Sequence, residues 1–518
     1  MVCRKSEKKM LGKKKYEPKL FNYVSIEELV PKDNFYRKVN ELLDLRFLYQ
    51  ECKKYYGKTG KPSIDPVVFF KFNLYGYFEN IIEDRELVRQ VSDSLSARLF
   101  LGYDLDEQIP WHSTVSRTRG IIEEEVFEKL FNKILVMCGE AGLIEGKHQS
   151  VDSTLVKANA SLDSLEKKEP QLTVREYIKR TNKTNVEEDK QEGDAQLENK
   201  EYRAKGEITK GKDSELKQIK CSQEKTKKKD INKNYVSTTD PDSRVASKPN
   251  AKTDLYYSTH YVVDSKEKII TDVLTVHADR RDSQVLPESL ERANRRIEPL
   301  GLKIQEVGAD KGFCSGETLR KLEEKDIEGY IPTKRYVNIT GNIEKEEFKY
   351  DSQKDIYICP QGKMAKYHTT DKPRQLKRYL VKKKECDVCP LKEKCCNGKK
   401  GRQISRSIYE EEYERSAKRL STAKGKRAMR LRKINTEPLF AEAKMNHGLR
   451  KFMIRGIKKA QKNSFIIASV QNLKRLIKEH LRKKKAVDLK NEGMSILKVE
   501  TIHNLEKIQS HLPYLIFY

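Results

Sequence analysis

The sequence predicts an α/β fold, α+β overall, in which a mixed sheet of about five strands follows an all-α region and precedes a cysteine-rich insertion. Three observations carry this expectation. Apolar residues recur at helical spacing through the first 145 residues. Short runs rich in β-branched and aromatic residues alternate with helical patterns between 240 and 335. Helical patterning then returns after about 408. At about 150 residues per domain, 518 residues suggest roughly three domains.

Residues 1–145 read as a helical domain. Ser25-Ile-Glu-Glu-Leu-Val offers a capping box, and Asp65-Pro-Val-Val-Phe-Phe opens a helix with proline in its first turn. Glu86-Leu-Val-Arg-Gln-Val and Glu124-Glu-Val-Phe-Glu-Lys-Leu-Phe continue the spacing. Between them, Ile109-Pro-Trp-His112-Ser-Thr-Val-Ser-Arg117-Thr-Arg119 reads as a loop whose Ser113, Thr114, Arg117 and Arg119 cap a helix and meet phosphates.

The first strand lies in 146–159 and the others in 240–335, separated by a charged, low-complexity insertion at 160–239. Leu255-Tyr-Tyr-Ser-Thr-His-Tyr-Val-Val-Asp264 and Lys268-Ile-Ile-Thr-Asp-Val-Leu-Thr-Val-His277 form a hairpin pattern. A helix near 283–297, a strand at 303–309, a helix at 316–325 and a strand near Gly329 follow. The order β, insertion, ββ, α, β, α, β matches an RNase H-like core. A cysteine-rich insertion occupies 336–407, further helices 408–480, and a basic tail 481–518.

Lysine and arginine number 106 against 78 acidic residues, a net charge of +28, which points to a polyanionic partner. No stretch approaches the ~18 apolar residues that span a bilayer, and no apolar leader opens the chain. The expected location is the cytoplasm, in association with the nucleoid.

Asp152 ends an apolar, strand-like run, and Asp310 stands where another strand meets a glycine-containing turn. Glu437 follows in a helical segment. Hard carboxylate oxygens on fixed backbones suit Mg²⁺ or Mn²⁺ and phosphoryl transfer. One aspartate at a strand end is more often a turn former; three acids on these element types carry more weight. Lys444 lies seven residues beyond Glu437, on the same helical face, where it can reach a phosphate. Pro438 fits a helix that begins here. Glu442 competes as third carboxylate, but it lies roughly 140° around the helix from Glu437.

The segments around Asp152 and Asp310, Ser237-Thr-Thr-Asp240-Pro-Asp, and Glu437-Pro-Leu-Phe-Ala-Glu-Ala-Lys444 together resemble the DDE transposases of bacterial insertion sequences. Ile109-Pro-Trp-His-Ser-Thr-Val-Ser-Arg is similar to part of the helical domain ahead of that core. The resemblance implies cleavage at element ends and strand transfer into target DNA, with Asp152, Asp310 and Glu437 as metal ligands. It also implies double-stranded DNA as partner and a homodimer or higher oligomer on it. Related branches carry tyrosine and arginine seven and four residues before the glutamate; here Arg430 and Lys433 stand there, as phosphate contacts. The rival readings are a noncatalytic nucleic-acid-binding protein and a metal-dependent nuclease without strand transfer.

Ten cysteines in a reducing compartment favour metal over disulfides. Cys359, Cys386, Cys389 and Cys395 form a candidate tetrahedral Zn²⁺ set, with Cys396 as the substitute fourth ligand. Cys3, Cys52, Cys138, Cys221 and Cys314 are scattered and read as ordinary thiols.

Overall fold

A computed structural model of the chain describes residues 24–57, 63–168, 228–247, 252–333, 343–396 and 401–491. The described residues form two compact units. The first comprises those up to Tyr75 with Asp84–Arg119, and the second comprises Gly76–Glu83 and those from Gly120 onward.

The first unit is helical, built from α1 (Ile26–Leu29), α2 (Phe35–Leu42), α3 (Phe47–Cys52), α4 (Pro66–Phe78), α5 (Asp84–Asp93), α6 (Leu95–Leu101) and α7 (His112–Ile121), of which α4 and α7 continue past its boundary. The starts follow the sequence signals. The Ser25 hydroxyl accepts from Glu28 N at 3.3 Å, and Asp65 Oδ1 accepts from Val67 N at 2.7 Å and Val68 N at 3.1 Å. Tyr36 packs against Tyr75 and Phe100, with ring centroids 5.1 Å away in each case. The stretch from His112 is a helix and not the expected loop, because Val115 and Thr118 recur at three-residue spacing and are buried.

In the second unit, α8 (Glu124–Glu140) leads into β1 (His148–Lys157). The described edges of the charged insertion supply β2 (Leu165–Lys167), α9 (Lys228–Asn234) and β3 (Tyr235–Ser237), with β2 paired to β3. The remainder of that insertion, 169–227, lies outside the described residues. Then come β4 (Arg244–Ala246), β5 (Asp254–Asp264), β6 (Ile270–His277), α10 (Asp282–Ile297), β7 (Glu306–Ala309), α11 (Gly316–Glu324) and β8 (Glu328–Tyr330). These strands, with β1, form a six-stranded mixed sheet ordered β4-β5-β1-β7-β8, with β6 also paired to β5. β1 runs antiparallel to β5 and parallel to β7, and β7 runs parallel to β8.

A second sheet holds the cysteine-rich segment. It comprises β9 (Lys349–Asp351), β10 (Ile356–Ile358), β11 (Met364–Asp371), β12 (Leu376–Leu380) and β13 (Gln403–Ser407), ordered β13-β12-β11-β10-β9. Two short helices, α12 (Lys383–Asp387) and α13 (Lys392–Cys395), join β12 to β13. The chain ends its described course in α14 (Glu410–Ser421), α15 (Ala423–Asn446) and α16 (Ile457–Asn491).

Each face of the mixed sheet is covered. Val151, Val262, Val307 and Ala309 meet Leu286, Leu290 and Ala293 of α10 and Leu319 and Leu322 of α11. On the other face Tyr261 stacks on Phe440 of α15 at 4.4 Å. Helix α16 is buried on every side from Ala460 to Leu473, which explains why its apolar run is not a stripe. Its buried amides close the free edge of β6. Gln461 accepts from Thr275 N at 2.6 Å and donates to Val273 O at 2.9 Å, and Asn472 bonds both the N–H and the C=O of Ile270 at 2.9 Å. Side chains thus make the bonds a neighbouring strand would make. Among the described residues no helix is long and apolar enough to cross a membrane.

Leucine has nearly the volume of glutamine but no polar atoms. Gln461→Leu is therefore expected to lower unfolding free energy by about 3 kcal/mol, since two buried backbone groups lose their partners. A urea titration of the variant beside the wild type checks this, and an unchanged midpoint would refute the edge-closing role.

Candidate active site

Asp152 does not end its strand, as the sequence suggested; it is the fifth of ten residues in β1. What ends there is the neighbour. The parallel register of β1 with β7 runs to Val151 opposite Ala309, and Asp310 follows as the N-cap of a 3₁₀ turn. The two aspartates therefore stand at one level, Asp152 within β1 and Asp310 just past the end of the adjacent β7. The Asp310 Oδ1 accepts from Gly312 N at 2.7 Å, which fixes its carboxylate.

Asp152 is held from three sides. Its Oδ1 accepts from Ser153 N at 2.8 Å, and its Oδ2 accepts from the Thr436 hydroxyl at 3.2 Å and from Arg432 Nη1 at 3.0 Å. Burial pushes its carboxyl above the usual aspartate range, the nearby Asp310 charge adds to this, and the Ser153 N–H, Arg432 and Thr436 oppose it. The site thus contains a carboxylate whose charge remains costly even with these three donors in place.

Glu437 comes from α15. Its side chain is 59% exposed, and its Oε1 lies 3.5 Å from Nη2 of the same Arg432. Proline at 438 does not start the helix, because α15 already runs from Ala423 and Pro438 is interior. The carbonyl left without its partner belongs to Ile434, on the exposed side of the helix, where water can satisfy it. Arg430, Lys433 and Glu437 follow one another at three- and four-residue steps, all exposed, and Lys444 is half-buried two turns on.

Two participants escaped the sequence reading. Arg432 bridges Asp152 and Glu437, yet in a basic helix nothing distinguishes it from its neighbours. Asp282 opens α10, with its Oδ1 3.1 Å from the Ser153 hydroxyl and 3.7 Å from buried His260. A Cβ on Gly312 would stand 2.9 Å from Asp310 Oδ1 and 3.0 Å from Asp282 Oδ2, so these carboxylates converge where only glycine fits. The signal for Asp282 was an acid at a helix start directly after a strand.

The competitor Glu442 is engaged elsewhere. It accepts from Lys474 at 2.9 Å, Arg475 at 3.0 Å and Gln471 at 3.2 Å, with His447 at 3.4 Å. In the helical unit, Arg119 makes a double ion pair with Asp84 at 2.7 and 2.9 Å and bonds Asn73. Its guanidinium serves that interior instead of projecting outward, whereas Arg117 is exposed.

Cys386, Cys389, Cys395 and Cys396 lie near enough for their thiols to interact, and burial pushes Cys386 and Cys395 up. Cys359 accepts from Lys363 N at 3.2 Å and Cys386 from Arg402 N at 3.5 Å. Cys359, Cys386 and Cys395 pack against the small-sheet core of Phe348, Tyr357 and Tyr379. Cys52 and Cys138 are buried and Cys314 is half-buried, and Cys3 and Cys221 lie outside the described residues. Among the described residues no group of three or more His, Cys, Asp or Glu stands close enough to hold a metal ion. The donor chemistry fits in both places, with hard oxygens at one and sulfur with N–H donors at the other.

Burial alone would raise the Glu442 carboxyl, but His447, Arg475 and Lys474 outweigh it and hold it well below its ordinary 4.5. A depressed folded-state value means that the stability it contributes is present above pH 4.5 and lost as pH falls below it. Glu442→Gln is expected to cost about 3 kcal/mol at neutral pH, with the gap from wild type narrowing in acid. Urea titrations at the two pH values check the sign; a gap that widens in acid would contradict it.

Comparison with known proteins bears on both units. Residues 24–120 match a transposase domain model of the DUF772 family, and residues 358–477 match a transposase DDE domain model. The second match contains Glu437 and Lys444 but stops short of Asp152 and Asp310. No curated protein matches the chain. Among solved structures, a piggyBac transposase synaptic complex with hairpin DNA, determined by cryo-electron microscopy, is 10% identical. That alignment covers 93% of this chain and 80% of the other at a TM-score of 0.30. Two separate transposase models thus match the chain, one on either side of its mixed sheet in sequence, and support a DDE-type transposase.

Proposed function

We propose that the chain binds the ends of a mobile DNA element, cleaves the phosphodiester there and transfers the released 3′-hydroxyl to target DNA. The observation that carries this reading is the convergence of Asp152 and Asp310 at the end of the β1/β7 pairing, with Glu437 joined to Asp152 through Arg432. The strand order supports it. Three antiparallel strands, β6-β5-β1, continue into two parallel ones, β7-β8, as in an RNase H-like core.

Asp152, Asp310 and Glu437 are the residues that would hold Mg²⁺ or Mn²⁺, which when bound supplies Lewis-acid activation of the attacking and leaving oxygens. The protein's own part is positioning. Ser153 N–H and Thr436 fix Asp152, Gly312 N–H fixes Asp310, and α15 carries Glu437 on a rigid backbone. Arg430, Lys433 and Lys444, on one face of α15, would meet the phosphates flanking the scissile bond, and the exposed Arg117 those of the element end. Water attacks in cleavage and the 3′-hydroxyl in transfer, with no covalent protein intermediate. Residues 1–145 would read the ends, and a homodimer or higher oligomer would bring two ends together.

Replacement of Asp152 by Ala is expected to reduce transposition of a paired-end plasmid to background while gel-shift binding of an end fragment survives. Persistent transposition would remove Asp152 from the site. Glu437→Gln should match that loss with normal folding, whereas Glu442→Gln should fail through stability first.

The cysteine group would hold a structural Zn²⁺ through Cys359, Cys386, Cys389 and Cys395, with Cys396 adjacent. Elemental analysis of anaerobically purified protein is expected to find about one zinc per chain, lost in Cys386→Ser. Zinc-free wild type would exclude the assignment.

A further inference from the structure

We infer that Arg432 is the resident cation of the carboxylate cluster, occupying the space between Asp152 and Glu437 until a divalent cation displaces it. This rests on the carboxylate roles proposed above and goes beyond them, because it makes Arg432 the residue that sets how readily the site takes metal. The fork geometry is the starting point. Nη1 lies 3.0 Å from Asp152 Oδ2 and Nη2 lies 3.5 Å from Glu437 Oε1, so one guanidinium spans both acids. The three side chains differ sharply in exposure, 17% for Asp152, 11% for Arg432 and 59% for Glu437. The pair is thus buried at the Asp152 end and open to solvent at the Glu437 end, where a hydrated ion can enter.

Two features mark the bridge as replaceable. The Arg432 Nε–H is buried with no hydrogen-bond partner, so the guanidinium is not fully satisfied where it sits. Its hold on Glu437 is long for a charge-assisted bond, which is normally about 2.7–2.9 Å. A divalent cation ligated by Asp152 would use the same Oδ2 lone pairs and repel the guanidinium at short range. Arg432 must then withdraw toward the solvent-open Glu437 end, and it does so as a singly charged donor whose Nε–H has no partner in the bridge. A phosphodiester oxygen is the acceptor that suits it there. Arg432 is accordingly a positioning residue. It keeps Asp152 and Glu437 in register without metal and raises the concentration of metal needed to load the site without DNA.

The test is calorimetric titration of chelator-treated, DNA-free full-length protein with MnCl₂, which needs no turnover. Arg432→Gln removes the charge and is expected to bind Mn²⁺ at least about 10-fold more tightly than wild type. Arg432→Lys keeps the charge but cannot span both acids and should fall between them. Asp152→Asn should abolish the tight binding, and Mn²⁺ should raise the melting temperature of Arg432→Gln more than that of wild type. A variant that merely lost packing would not gain metal affinity. Equal or weaker binding by Arg432→Gln, with wild-type binding still dependent on Asp152, overturns this inference alone. Binding indifferent to Asp152 in every variant overturns the ligand assignment as well. Should Arg432→Gln not fold, Arg432→Lys decides, since an affinity identical to wild type refutes the bridge.

Discussion

The parallel register of β1 against β7 governs the placement of Asp152 and Asp310. It brings His148 opposite Glu306 and stops at Val151 opposite Ala309, so Asp152 continues along a strand still paired to β5 but no longer to β7, while Asp310 turns away from it. Slip the register by one residue and Asp152 would exchange faces with Val151. The apolar cluster of Val151, Val262, Val307 and Ala309 under α10 and α11 forbids that, because it would bury a carboxylate among side chains with no polar partner. The core therefore specifies the site by excluding alternatives.

The same logic explains which polar residues sit inside. Helix α16 buries its whole circumference, so Gln461 and Asn472 would be costly there unless paired. They are paired with the free edge of β6, which itself needs partners once the helix excludes water. Asp272 on β6 solves a different problem, meeting Arg296 and Arg292 of α10 in a buried ion pair. Each of these polar residues answers a need created by a neighbouring backbone or charge.

That pattern decides what could be read from the sequence. The hairpin of β5 and β6, the helix from 282 and the turn after Asp310 were legible because they are local, set by alternation, β-branching and a glycine-containing turn. Asp152 stands out by its residue type, but the expectation that it ends its strand fails, since pairing on the far side of a strand leaves no mark in its own alternation. The helix at His112 was missed because serines, threonines and arginines read as loop until Val115 and Thr118 are known to be buried. Pro438 misled for a related reason. Its cost depends on whether the freed carbonyl reaches water, and that is a property of the packed helix.

Arg432 and Glu442 show the limit from the other side. Both lie on α15, five residues from Glu437 in opposite directions, and both are charged residues in a basic stretch, Arg432 buried and Glu442 half-buried. Their roles diverge because of what the helix faces at each level. Toward its start it looks onto the end of the β1/β7 pairing, where Asp152 draws a guanidinium. Toward its close it looks onto α16, where Lys474 and Arg475 draw a carboxylate. One helix thus carries a cation to the acids and an acid to the cations. Glu437, between the two levels and open to solvent, is the residue left without a saturating internal partner, and that is the condition a ligand for an incoming cation must meet.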